Sequence, residues 1–288
     1  MTDRRGRSTS TPTGELRVSS RNASFQQWQA LLANRRKRNR AREFLVQGVR
    51  PIELAVRNGW TVRVLLLNAG ADRSRWADEV VRRTGGRSVL VSAELMHELG
   101  EKEESAPEVL AVVEMPPDAL SRIDDRPDLL TVVFDRPASP GNLGTLIRSA
   151  DAFGAGGVVV TGHAADPYDP RAVRASTGSL FGVPVVRVPS HREVLDWVGA
   201  RRDAGIPVQV VGSDEQGDVE LDRVDLTGPT VLVVGNEHAG LTAAWRESCD
   251  RVARIPMQGT ASSLNAAAAG TVLLYEAHRR RRSGSAGG

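Results

Sequence analysis

The sequence predicts an α/β protein made of two α/β domains in series, and three observations lead there. At 288 residues the chain is long for a single domain of roughly 100–200 residues. From Leu129 onward, near-continuous apolar runs alternate with helical stretches, the pattern of parallel strands covered on both faces by helices. Between Pro116 and Pro127 the composition turns to prolines and aspartates, as a linker does. The domains implied are residues 22–117 and 129–282, joined by 118–128. Tails at 1–21 and 283–288 are expected to be disordered, because Ser, Thr, Arg and Gly dominate there.

In the first domain a helix is expected over Ser24–Ala33, then a short apolar strand over Glu43–Gly48. A helix over Arg50–Asn58 leads to a strand over Val62–Leu67. A helix over Ser74–Arg83 leads to a strand over Ser88–Val91, and Val109–Val113 is the last strand. In the second domain the expected strands are Leu129–Asp135, Val158–Val160, Val183–Val188, Val208–Val211 and Val231–Val234. Helices over His191–Asp203 and Ala239–Cys249 lie between them, and an alanine-rich helix over Leu264–His278 closes the chain. Gly154, Gly156 and Gly157 stand after a helix and before a strand. They read as a helix end and turn rather than as the glycine loop of a Rossmann-type nucleotide site.

Composition narrows the function classes. No apolar run approaches the ~18 residues that span a bilayer, and the basic N-terminus lacks the apolar core of a signal peptide. Cys249 is the single cysteine, so an internal disulfide and a cysteine-rich zinc site are both excluded. The five histidines have no metal-ligand spacing. These features fit a metal-free cytoplasmic protein. The net charge is only +3, but the run Arg35, Arg36, Lys37, Arg38, Arg40 and Arg42 is densely cationic. A second run spans Arg279–Arg282. Such runs suit RNA phosphates, although a solvated helix face would look the same.

Three loops follow strands at the edge where open α/β sheets hold ligands. The first is Pro140–Ala150, in which Asn142 suits a helix N-cap and Arg148 falls in the second turn. The second is Val234–Leu241, where Gly235 permits close backbone approach and Glu237 sits in the turn after a buried strand. The third is Ile255–Asn265, which joins a short strand to the final helix and offers Ser262 or Ser263 as an N-cap. Each loop alone reads equally as an ordinary strand–helix junction.

Together the loops resemble the three signature motifs of the SpoU/TrmH family of RNA 2′-O-methyltransferases. Asn142, Gly144 and Arg148 match N-x-G-x-x-x-R. Gly235, Asn236, Glu237, Gly240 and Leu241 match G-N-E-x-x-G-L. Ile255, Pro256, Met257 and Gly259, with Ser263, Leu264 and Asn265 following, match the third motif. Ala175–Ser179 resembles the family's intervening serine–glycine segment, and the first domain resembles its ribosomal-protein L30e-like RNA-binding domain. Within the family, Ser24–Leu32 and Glu98–Lys102 look most like the avilamycin-resistance ribosomal RNA methyltransferases of actinomycetes.

The resemblance implies a C-terminal trefoil-knot methyltransferase domain that uses S-adenosyl-L-methionine. It also implies a homodimer whose active site is completed at the interface, and 23S ribosomal RNA as partner. Arg148 would be the central catalytic residue, with Asn142, Glu237, Ser263 and Asn265 organising the pocket. Gly235, Asn236, Gly240, Ile255, Met257 and Leu264 would contact the cofactor. Departures are Ser139 in place of an acid, Gln47 in place of a glutamate, and Ala266–Ala268 after Ser263–Asn265. A transfer RNA substrate, or a non-catalytic RNA-binding role, are the alternatives. The L30e-like domain speaks against the first, and retention of Arg148 with all three loops against the second.

Overall fold

The computed structural model describes residues 16–85, 87–100, 105–123 and 126–285. Strands β1 (Leu16–Val18), β2 (Glu43–Gln47), β3 (Val62–Asn68), β4 (Arg87–Val91) and β5 (Val109–Glu114) form a mixed sheet in the order β1-β4-β3-β5-β2. Successive side chains of a strand point to opposite faces. Phe44 and Val46 therefore pack with α3 (Val49–Arg57) and α4 (Arg75–Thr84), while Leu45 packs with α1 (Ala23–Ala33) and α5 (Ala93–Leu99). Helix α5 was not expected from the sequence. Asn22 caps α1, accepting a bond from the Phe25 amide, and Phe25, Trp28 and Leu31 form its buried stripe.

Strand β1 corrects the expectation of a disordered tail through residue 21. Leu16–Val18 lie parallel to β4, and Val18 is buried. Three residues are too few to show a period, and the otherwise unpaired edge of β4 is what orders them. Residues 1–15 and 286–288 of the expected tails lie outside the described residues, as do Glu101 and Lys102.

The second sheet is wholly parallel. Strands β6 (Leu130–Asp135), β7 (Gly157–Thr161), β8 (Val185–Val188), β9 (Gln209–Ser213), β10 (Val219–Glu220), β11 (Thr230–Val234) and β12 (Arg251–Arg254) run in the order β10-β12-β9-β11-β6-β7-β8. Helices α6 (Pro140–Ala152), α7 (Pro170–Ser176) and α10 (Ala266–Ser285) cover one face, and α8 (His191–Asp203) and α9 (Ala243–Ser248) the other. After β12 the chain turns back to seat α10 on α6 and β11. A Cβ on Gly270 would stand 2.5 Å from Leu146 and 3.1 Å from Val234. A Cβ on Gly144 would stand 2.3 Å from the Ala172 carbonyl oxygen, so the first motif's glycine lets α6 pack backbone-close to α7.

Two helices differ from expectation. The helix expected over Ala239–Cys249 is reduced to α9, because Gly240 takes φ +63° and Thr242 provides a later cap. Helix α10 runs on to Ser285, into the tail expected from residue 283. Three of the four arginines of the run 279–282 bond within the fold. Arg279 and Arg280 bond Glu276, and Arg281 donates to the carbonyls of Asp128, Leu129, Leu226 and Gly228. Within this second cationic run Arg279–Arg281 are thus tied to the fold, while Arg282 is exposed.

The two sheets share one core. Phe44, Ile52 and Val80 of the first domain belong to the same buried cluster as Leu146, Val173 and Leu232 of the second. Phe44 meets Tyr168 at 4.8 Å between ring centroids, and Trp60 meets Phe181 edge-on at 5.0 Å. Asn58 and Trp60 both donate to the Phe181 carbonyl at 3.1 Å. The stretch expected as a linker is packed down as well. Ile123 is buried, and Arg122 donates to the Val185 carbonyl at 3.0 Å.

Arg38 pins this interface and corrects the expectation that it contacts RNA. It lies in α2 (Arg35–Ala41) and is 2% exposed. Its guanidinium donates to Asp166 at 2.9 Å and to the Leu31 and Leu32 carbonyls at 2.8 and 3.0 Å. Asp166 also accepts the Tyr168 amide, and Arg187 stands 3.7 Å from its second oxygen. Burial pushes the Tyr168 hydroxyl up to about 12. A charge this deep is tolerable only when paired and hydrogen-bonded, as it is here.

Candidate active site

The three expected loops converge where β6 and β11 end side by side. Ser139, not Asn142, caps α6, accepting from the Asn142 amide at 3.3 Å, which corrects the expected cap. This leaves the Asn142 side chain to bridge the loops. Its Nδ2 donates to Glu237 at 3.1 Å, and its Oδ1 accepts from Asn265 at 3.1 Å. Glu237 also accepts the backbone N–H groups of Ala138 and Ser139 at 2.8 and 3.0 Å. Burial pushes the Glu237 carboxyl up, but the Ala138 and Ser139 amides and the Asn142 side chain outweigh it and hold the pKa below the ordinary value. Asn265, rather than Ser262 or Ser263, caps α10, accepting from the Ala267 and Ala268 amides. One chain of hydrogen bonds thus fixes all three loops and charges Glu237.

Residues 236–240 form a closed turn. Asn236 and Gly240 exchange backbone bonds at 3.0 Å each, and the Asn236 Oδ1 accepts the His238 and Ala239 amides. The Asn236 side-chain Nδ2 donates to the Arg136 carbonyl at 2.6 Å, tying this turn to the loop after β6. Gly235 is required by the turn itself. A Cβ there would fall 2.3 Å from the Gly240 carbonyl carbon and 2.5 Å from the Leu241 nitrogen, so the close approach is by the chain's own backbone.

Two adjoining cavities result. The first, of about 360 Å³, is lined by Gly235, Asn236, Gly240, Ile255, Met257 and Leu264, which brings all six expected cofactor residues together. Asp214, Glu215 and Arg246 also line it, and Arg246 donates to Asp214 at 2.6 Å. The sequence reading did not include these three. They follow β9 or lie in α9, outside the recognisable motifs. The second cavity, of about 500 Å³, is lined by Asn142, Glu237, Ser263 and Asn265. The two share Glu237, His238, Ser263, Leu264 and Ala266.

Arg148 borders neither cavity. It falls in the third turn of α6, about 9 Å along the axis from Asn142, rather than in the second. It is exposed and has no hydrogen-bond or ion-pair partner among the described residues. In the first domain Arg36, Lys37, Arg40 and Arg42 are exposed. Arg42 donates to the Met115 and Pro116 carbonyls, and the half-buried Arg35 donates to the Ala164 carbonyl at 2.6 Å. Arg36, Lys37 and Arg40 are the members of the run whose charge has no partner among the described residues. No group of three or more His, Cys, Asp or Glu that could hold a metal occurs among the described residues. No helix among them is long and apolar enough to cross a membrane.

Residues 129–275 match the SpoU rRNA Methylase family, and residues 22–111 match the SpoU L30e-like domain. The chain belongs to the SpoU rRNA methylase family. This SpoU protein is 59% identical over 280 residues to a 23S rRNA (uridine(2479)-2′-O)-methyltransferase of Streptomyces viridochromogenes, covering 97% of each chain. Its fold is similar to the crystal structure of the SpoU methyltransferase AviRb from the same organism in complex with AdoMet, with a TM-score of 0.88 and 60% identity, covering 91% of this chain and 99% of that one. An AdoMet-bound rRNA methyltransferase from Sinorhizobium meliloti gives a TM-score of 0.82 at 30% identity, covering 91% of this chain and 97% of that one. The architecture is accordingly that of the knotted SpoU enzymes, an L30e-like domain followed by a trefoil-knot methylase domain.

Proposed function

We propose that this SpoU protein transfers a methyl group from S-adenosylmethionine to the 2′-hydroxyl of a uridine in 23S ribosomal RNA, in the cytoplasm. The observation that carries this reading is the pair of adjoining cavities that meet at Glu237, His238, Ser263, Leu264 and Ala266. One cavity suits the cofactor, the other a ribose. The cofactor cavity lies within the ~300–1,000 Å³ range of small-molecule sites. Its wall includes Met257 and Leu264, large apolar side chains each 39% exposed, which an adenine ring would cover. Glu215 in its lining suits a cationic ligand, Asp214 being paired with Arg246. Bound there, S-adenosylmethionine supplies an activated methyl group. Transfer of label from the cofactor to 23S RNA, with the methylated ribose mapped, tests the assignment. Label on a base, or on transfer RNA alone, would overturn it.

The protein's part in the reaction is positioning and charge management. Glu237 orders the loop after β6 through two amides, and Asn142 and Asn265 lock the wall of the second cavity through their bonds to Glu237 and to each other. A guanidinium holds its proton at neutral pH, so Arg148 acts on the RNA by binding phosphate and steering the 2′-oxygen rather than as a base. Because Arg148 lies outside the cavities of its own chain, we infer that it reaches the ribose cavity of a second copy in a homodimer.

Gly235→Val should weaken S-adenosylmethionine binding at least about tenfold, since the side chain collides with the turn that walls the cavity. Calorimetry showing unchanged cofactor affinity in a folded variant would refute this. Replacing Arg36, Lys37 and Arg40 together by alanine should lower RNA affinity and flatten its salt dependence by roughly 0.7–0.9 for each phosphate no longer neutralised. The same nucleotide should still be methylated, because protein bonds to phosphate carry no sequence information. An unchanged salt slope would mark α2 as a solvated face only.

A further inference from the structure

We propose that Ser179 is a positioning residue for Arg148: its hydroxyl holds the Asp151 carboxylate aside and so keeps the arginine free for RNA phosphate. The inference rests on the reading of Arg148 as the group that binds phosphate and steers the 2′-oxygen. It gives the serine–glycine segment Ala175–Ser179 a part in the reaction.

The segment borders neither cavity, yet it grips the helix that carries Arg148. Gly144, one turn before Arg148 on α6, packs backbone-close to Ala172 and Ser176. Asp151 follows Arg148 by three residues, and the Ser179 hydroxyl donates to its Oδ2 at 2.7 Å. A Cβ on Gly182 would stand 3.2 Å from Asp151 Oδ1, so the glycine leaves room for the carboxylate. Ser179 is itself buried, and the first domain fixes the chain on either side of it. Arg50 donates to the Thr177 carbonyl at 3.2 Å, and Asn58 and Trp60 donate to the Phe181 carbonyl.

What the bond prevents follows from helix geometry. Residues three apart share a helix face with Cβ atoms about 5–6 Å apart, within pairing reach for an arginine and a carboxylate. Pairs at this spacing close elsewhere in the chain, with the acid first: Glu79 with Arg82 in α4, and Glu276 with Arg279 in α10. Arg148 and Asp151 do not close, and neither has an ion-pair partner among the described residues. Without the Ser179 hydroxyl the carboxylate is released, and it competes with phosphate for the guanidinium.

The test is Ser179→Ala in the full chain, which removes one oxygen and leaves the backbone bonds of the segment in place. Single-turnover methyl transfer at subsaturating 23S RNA should slow about two- to sixfold, the equilibrium weight of an exposed ion pair. Calorimetric S-adenosylmethionine affinity should not change. The deficit relative to wild type should shrink as salt is raised, because salt screens the pair. Adding Asp151→Asn to Ser179→Ala should restore the wild-type rate, although no packing is repaired. In an Arg148→Ala background, Ser179→Ala should slow transfer no further. A wild-type rate in Ser179→Ala at low salt would overturn the proposal. So would a deficit that is indifferent to salt, survives Asp151→Asn or recurs without Arg148, since each marks Ser179 as packing alone. Near-wild-type turnover by Arg148→Ala would instead overturn the reading of Arg148 on which the proposal rests.

Discussion

Arg148→Ala is expected to slow methyl transfer by roughly 10²–10³-fold, the usual cost of removing one charged group aimed at a developing oxyanion. Stability and cofactor affinity should be nearly unaffected, because Arg148 is exposed, has no partner among the described residues and borders neither cavity. Single-turnover kinetics beside calorimetry would show this split. If the arginine serves the partner's ribose cavity, mixing Arg148→Ala protomers with inactive Glu237→Ala protomers should restore part of the activity. Each mixed dimer then holds one intact combination. No recovery on mixing would place Arg148 in the service of its own chain, and near-wild-type turnover by Arg148→Ala would end its assignment altogether.

Arg38→Met should be the most damaging change among the cationic residues of α2. It takes from the buried Asp166 carboxylate its directly bonded cation, with Arg187 left at 3.7 Å, and leaves the Leu31 and Leu32 carbonyls without their donor. Breaking a buried pair from one side costs about 3–5 kcal/mol. Arg36→Ala, two residues away on the solvent side, should shift stability by less than about 0.5 kcal/mol. Denaturant midpoints of the two variants measure the contrast, and equal midpoints would contradict the structural role of Arg38.

That contrast shows where sequence reading stops. The parallel sheet was legible because buried strands such as Leu130–Asp135 and Thr230–Val234 are apolar almost throughout. The site was legible because its three loops carry recognisable residues at fixed spacing. Arg38 was not, since within an unbroken cationic run it is chemically indistinguishable from Arg36. Only Asp166, 128 residues further along, sets it apart. Asn142 was read as a cap because its residue type favours caps, yet Ser139 stands one turn earlier and frees the amide to join Glu237 to Asn265. Helix α7 escaped notice although Asp169 and Pro170 form an ordinary helix start. Its seven residues are too few for a period to emerge.

The core that runs unbroken through both sheets has a mechanical consequence. Phe44, Trp60, Tyr168 and Phe181 clasp the L30e-like domain to the methylase domain. In this packing the cationic face of α2 and the ribose cavity stand at one set span, like the jaws of a gauge. With RNA resting on α2, a nucleotide would be selected by how far it protrudes from the gripped backbone, and an RNA whose folded shape misses that span would go unmodified even with the right base in place.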